Sequence, residues 1–227
     1  MSLLLIFHRL GIRIIQLTYM EGNLAGSGCL ERVDGGLTDY GIEMMQEMNR
    51  LGILVDLSHV GYQTSRDAVQ FSSKPVAVTH GNSLSRVNHK RNKPDDLLKA
   101  IADKGGVIGA TIFPPFLKEG GVKADLSDFV AMIDYMVNLI GIDHVGVETD
   151  FTEGYGREFF VKILTGNSKR GPKMDMSFLP VANPKGLESA RDFPNVTAAL
   201  LEHGYAERDV RKITGENFLA LFREVWQ

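Results

Sequence analysis

The chain has 227 residues, a formal net charge of −3 and 44% hydrophobic content, which suits one globular core and excludes a disordered or collagen-like polypeptide. There is no basic block, so there is no electrostatic case for nucleic acid, and no stretch reaches the ~18–20 apolar residues of a membrane span. A single cysteine, Cys29, excludes an internal disulfide framework and reads as a spare thiol.

The first segment, Leu3-Leu4-Leu5-Ile6-Phe7, has no basic leader before it and reads as the end of a helix packed on a barrel. Ile12–Leu17 reads as a strand. Gly41–Leu51 carries Ile42, Met45, Met48 and Leu51 at helical spacing, with Thr38 as its cap and Gly52 ending it. Ile53–Leu57 follows as a buried strand. Thr64–Phe71 is the next helix, opened by Thr64 and Asp67 as a near capping box. Lys74-Pro75 ends it, and Val76–Thr79 is a strand.

Pro94 introduces a helix over Asp95–Lys104. Gly105-Gly106 terminates it before a strand at Val107–Ile112. Asp125–Ile140 is a long helix, Gly141 stops it, and Val145–Val147 is a strand. Val196–His203 and Glu207–Val225 read as helices, the second interrupted at Gly215-Glu216-Asn217. The result is five strands, each followed by helix or loop, which predicts an α/β fold with a parallel sheet covered on both faces. Residues 1–227 form one domain in this reading, with 151–192 as a rim or lid excursion.

Two strand-like segments, Leu54–His59 and Val76–His80, each stop on a histidine. On neighbouring strands of a parallel barrel both imidazoles reach the same rim, the start of a metal site. Asp150 ends a later strand at that rim, as a metal ligand or a proton shuttle. Alternation places Asp56 on the opposite face to His59, which makes it structural. Arg91, followed by Asn92, lies in a loop where a guanidinium can grip a carboxylate. Tyr19 closes the first strand and can donate its phenolic proton to an oxyanion. His8, His89, His144 and His203 read as structural or exposed.

Several strings are more specific. Gly36-Leu37-Thr38-Asp39-Tyr40-Gly41, the run from Glu47 to His59 (EMNRLGILVDLSH), Pro75–His80, Arg91-Asn92 with Asp95-Asp96, Gly105–Gly109, Gly141–Gly146 and Gly215-Glu216-Asn217 resemble the membrane (renal) dipeptidase family of zinc peptidases. The likeness runs from about His8 to Trp226. It implies a (β/α)8 barrel with a binuclear zinc site that hydrolyses dipeptides, a hydroxide between the zincs being the nucleophile. It also implies that His59 and His80 bind one zinc, that Arg91 holds the substrate carboxylate, and that Asp150 protonates the leaving amine.

The sequence departs from the family at three places. None of its six histidines is followed two places later by aspartate, so the family's His-x-Asp pair and its bridging glutamate are absent. Tyr19 stands where many members have histidine. Phe151-Thr152-Glu153-Gly154 replaces a common Asp-Phe-Asp-Gly. Five strands also fall short of eight, so the expected fold is a partial parallel (β/α) TIM-type barrel of about five βα units, without the N-terminal ones. Its open edges predict a homo-oligomer. The function expected is zinc-dependent cleavage of a dipeptide, in a chain expected to lack full activity. The alternatives are a non-catalytic, self-associating remnant and a mononuclear metal-dependent amide or lactone hydrolase. With no leader or membrane span visible, the chain is expected to be cytoplasmic.

Overall fold

Five short parallel strands in the order β1-β2-β3-β4-β5 make one sheet: β1 Ile14–Gln16, β2 Leu54–Asp56, β3 Ala77–Val78, β4 Val107–Thr111 and β5 Val145–Glu148. This is a computed structural model, and it describes residues 2–120, 123–151, 154, 158–159 and 183–226. Each strand lies beside the next one in sequence. The helices between them are α2 (Asp39–Leu51), α3 (Tyr62–Phe71), α4 (Asp95–Asp103), the short α5 (Pro114–Leu117) and α6 (Leu126–Ile140), with α1 (Ser2–Arg9) in front of β1. That succession is a partial parallel (β/α) barrel, as the sequence predicts. Most of the 151–192 excursion lies outside the described residues.

Register divides the strand residues between two faces. One face carries Val55, Val76, Val78, Ile108, Ala110 and Val145, all in the large core shared with helices α2, α4 and α6. The other carries Leu54, Ala77 and Val107, which pack against Leu221 and Val225 of the C-terminal helix Asn217–Val225. Gly146 lets that helix approach: a Cβ there would lie 2.4 Å from the Phe218 ring. Beyond this apolar layer, towards the carboxyl ends of the strands, the inner face becomes polar, with Gln16, Asp56, Thr111 and Glu148.

Helix boundaries follow local chemistry. Thr38 accepts from the Gly41 N–H, and Gly52 closes α2 with a left-handed φ of 70°. Asp125 and Asp128 form a capping box on α6. The predicted box on α3 is corrected. That helix starts at Tyr62, and its first turn is capped from a distance by Asp34, whose carboxylate accepts from Gln63 N and Thr64 N. Thr64 is therefore inside the helix and donates its hydroxyl to the same Asp34. The strands are shorter than predicted: β2 stops at Asp56 and β3 at Val78, so His59 and His80 stand on the loops just past the strand ends. In α1 only Leu4 is in the core, while Leu3, Ile6 and Phe7 are exposed.

Candidate metal-binding and catalytic site

Asp56 is the centre from which the histidine loops are built. It is 2% exposed. Its Oδ1 accepts from Ser58 N (3.1 Å), Ser58 Oγ (2.6 Å) and Thr79 N (2.9 Å), and its Oδ2 accepts from Thr79 Oγ1 (3.0 Å). One carboxylate thus fixes the residue before His59 and the residue before His80. Ser58 Oγ in turn accepts the His80 backbone N–H at 3.0 Å.

These bonds set the tautomer of His80. The Thr79 hydroxyl proton goes to Asp56, so Thr79 Oγ1 can only accept at its 2.9 Å contact with His80 Nδ1. His80 therefore carries its proton on Nδ1 and presents the Nε2 lone pair. That nitrogen lies 2.9 Å from His59 Nε2. Burial, reinforced by the Arg91 guanidinium, holds both imidazoles below their ordinary pKa, with His59 the further depressed. Both are neutral at pH 7, the state in which imidazole binds a metal. His59 Nδ1 is buried with no hydrogen-bond partner among the described residues.

The other predicted residues surround this pair. The Tyr19 ring stacks on His59 with centroids 4.2 Å apart. It stands three residues beyond the end of β1 rather than closing it, and burial raises its phenol pKa. Asp150 lies beyond β5, exposed and with a positive φ of 51°, close enough to act electrostatically on Tyr19, His80 and Arg91. Arg91 does not stand in solvent above the site. It is 1% exposed, donates to the carbonyls of Ser58 and His80, and leaves Nε buried and unbonded. Asn92 Nδ2 donates to Val87 O and Phe116 O, each at 2.9 Å, and its Oδ1 is left unbonded.

The histidines read as structural include His89 and His144. His89 Nδ1 accepts the Arg91 N–H at 3.1 Å, and burial pushes its pKa down to about 4. His144 Nδ1 lies 2.9 Å from Gly106 O.

Two residues were not singled out from the sequence. Glu148 shares the inner face with Asp56, opposite Thr111 in register. Burial, with Asp150 and Asp56 nearby, raises its pKa to about 7, and its Oε2 is buried and unbonded. Strand alternation back from Asp150 could have found it. Lys93 is 3% exposed and donates to Val60 O at 2.6 Å; no sequence pattern marks that burial.

The two histidines suit one part of a metal's coordination shell, with converging Nε2 atoms and depressed pKa values. Among the described residues, no group of three or more His, Cys, Asp or Glu side chains converges as a complete site.

A family model described as membrane dipeptidase, peptidase family M19, matches residues 1–168 and 175–227. The dipeptidase tcpJ of Claviceps purpurea is 33% identical over 226 residues, covering 99% of this chain and 47% of that protein. The dipeptidase aclJ of Aspergillus oryzae is 31% identical over 227 residues, covering 99% and 48%. An amidohydrolase of Pseudomonas aeruginosa superposes with a TM-score of 0.93 at 42% identity, over 97% of this chain and 67% of that one. A metallo peptidase of Rhodobacter sphaeroides, solved with a phosphinate mimic of the dipeptide L-Ala-D-Ala, gives 0.80 at 26% identity, over 98% and 58%. The chain spans about half the length of the curated relatives it matches.

Proposed function

Because the chain belongs to the membrane dipeptidase family, peptidase family M19, we propose that it serves the metal-dependent hydrolysis of a dipeptide amide bond, with zinc as the metal. The observation that carries this reading is the pair of neutral, buried imidazoles whose Nε2 atoms converge at 2.9 Å. His59 and His80 are the residues that would hold the metal. When bound, the metal supplies a Lewis acid for the amide carbonyl and an activated water.

The chain's own groups divide the remaining work. The Tyr19 hydroxyl, kept protonated by its raised pKa, donates a hydrogen bond to the oxyanion as it forms. Asp150 passes a proton to the leaving amine. Arg91 supplies a buried positive field and an unbonded Nε for the substrate carboxylate, and Asn92 offers its unbonded Oδ1 as an acceptor for a substrate N–H. Residues 1–227 work as one domain in this reading.

The partner is a dipeptide-like molecule. Among the described residues, strands β1 and β5 end the sheet without a neighbour on their outer sides, and exposed Leu10, Ile12 and Ile14 line the β1 end. A homo-oligomer joined at these edges is the assembly proposed, and solution scattering that returns a monomer mass would remove that part. Among the described residues, no helix is long and apolar enough to cross a membrane.

The test is turnover of a dipeptide panel by zinc-incubated protein, beside His80→Ala. Turnover lost in the variant supports the reading. Equal turnover in both, or none in the wild type while zinc is bound, overturns it.

A further inference from the structure

A cavity of about 300 Å3 opens behind the His59 loop, and Cys29, Val60, Tyr62, Lys90, Asn92 and Lys93 are among its lining residues. His59, His80, Tyr19 and Asp150 do not line it. Among the described residues, the buried amine of Lys93 has one hydrogen bond, to Val60 O. Among the described residues no carboxylate lies within 4.0 Å of it, nor of the Arg91 guanidinium two residues earlier. Among the described residues, two buried cations thus share one loop without a counter-ion: Lys93 meets one backbone carbonyl, and Arg91 meets two carbonyls and the face of the Phe116 ring, 5.2 Å from its centroid. A buried charge without a counter-ion is costly, and an anion beside it offsets that cost. One acidic side chain, Glu31, lines the cavity, and its carboxylate accepts from Gly22 N and Arg32 N. The exposed Lys90 adds a second positive group at the mouth.

We propose that this cavity binds a small oxyanion of the phosphate or carboxylate class, with Lys93 Nζ as its buried donor. The volume accommodates a small molecule. The occupant draws Lys93 away from Val60 O, the carbonyl next to His59, while Cys29 N holds His59 O at 2.8 Å from the same cavity wall. The site stands whether or not the chain hydrolyses dipeptides.

Proton linkage gives the proposal a direction. Burial, with the Arg91 charge, pushes the Lys93 pKa down to about 7, while Cys29, Asp56 and Asp34 oppose that shift. His59, Lys90, Glu31 and Tyr62 complete the titratable surroundings. An anion favours the ammonium form, so binding takes up a proton. Affinity is highest below pH 7 and falls by up to about tenfold per pH unit above it.

The experiment is calorimetric titration with inorganic phosphate and, separately, acetate, at pH 6.5 and 8.5 and constant ionic strength. Wild type, Lys93→Met and Lys104→Met are compared; Lys104 also donates to a backbone carbonyl, Val69 O, and does not line the cavity. Saturable binding that is tighter at pH 6.5, weakened at least about tenfold in Lys93→Met and unchanged in Lys104→Met supports the site. The arm that binds more tightly names the class. No saturable binding of either ion, or equal binding in Lys93→Met, overturns it. If Lys93→Met does not fold, the Lys93 ammonium resonance of nitrogen-labelled wild type decides: a pKa raised by phosphate or acetate supports the site, and an unmoved one overturns it.

Discussion

The rims of β2 and β3 differ from the rim of β5 in how much of their chemistry is tied down. Past β2 and β3, one buried carboxylate, Asp56, receives four hydrogen bonds and fixes Ser58 and Thr79, the residues that precede the two histidines. Past β5, Glu148 keeps an unbonded buried oxygen and Asp150 is exposed in a left-handed conformation. The first rim is preorganised for a ligand that must be held in fixed geometry. In the proposed reading, the second leaves Glu148 Oε2 and the exposed Asp150 carboxylate available for proton exchange.

The largest effect expected from this contrast is at Asp56. Asp56→Ala removes the acceptor of all four bonds and should destabilise the protein by about 3–5 kcal/mol in urea unfolding. A loss under about 1 kcal/mol would break the contrast at its stronger end.

Glu148 should behave in the opposite sense. Its folded pKa, about 7, is raised above the ordinary 4.5, so between those values the folded state binds more protons than the unfolded one. Stability therefore falls as pH rises through this window. Glu148→Gln should raise stability at pH 8 by no more than about 3 kcal/mol and change it little at pH 4. A stability difference independent of pH would show that Glu148 is not held as an acid.

The smallest stability effects belong to Tyr19→Phe and Asp150→Asn, within about 0.5 kcal/mol, because among the described residues neither side chain carries a hydrogen bond. If the proposed roles hold, both variants lose turnover by at least about tenfold with the fold intact. Unchanged turnover in Tyr19→Phe would limit that residue to stacking on His59.

Much of this was legible in sequence because each signal was local. The stripe Ile42, Met45, Met48 and Leu51 with Gly52 behind it gave α2 to within two residues. The β-rich runs before His59 and His80 placed both imidazoles together, as the 2.9 Å contact shows. What escaped depended on contacts far along the chain. The cap of α3 comes from Asp34, 29 residues before Gln63. Arg91 looked like a loop residue, and only the fold shows it buried against carbonyls of the two histidine loops. The acceptor role of Asp56 needed the register with β3, which alternation along one strand cannot supply.

The most direct test of the central claim is zinc content per chain, by elemental analysis after incubation with zinc and removal of excess, for wild type and for the His59→Ala/His80→Ala double variant. Zinc retained by the wild type and lost from the double variant is the predicted result. No zinc in the wild type, or the same amount in both, would contradict the assignment of the converging imidazoles as metal ligands.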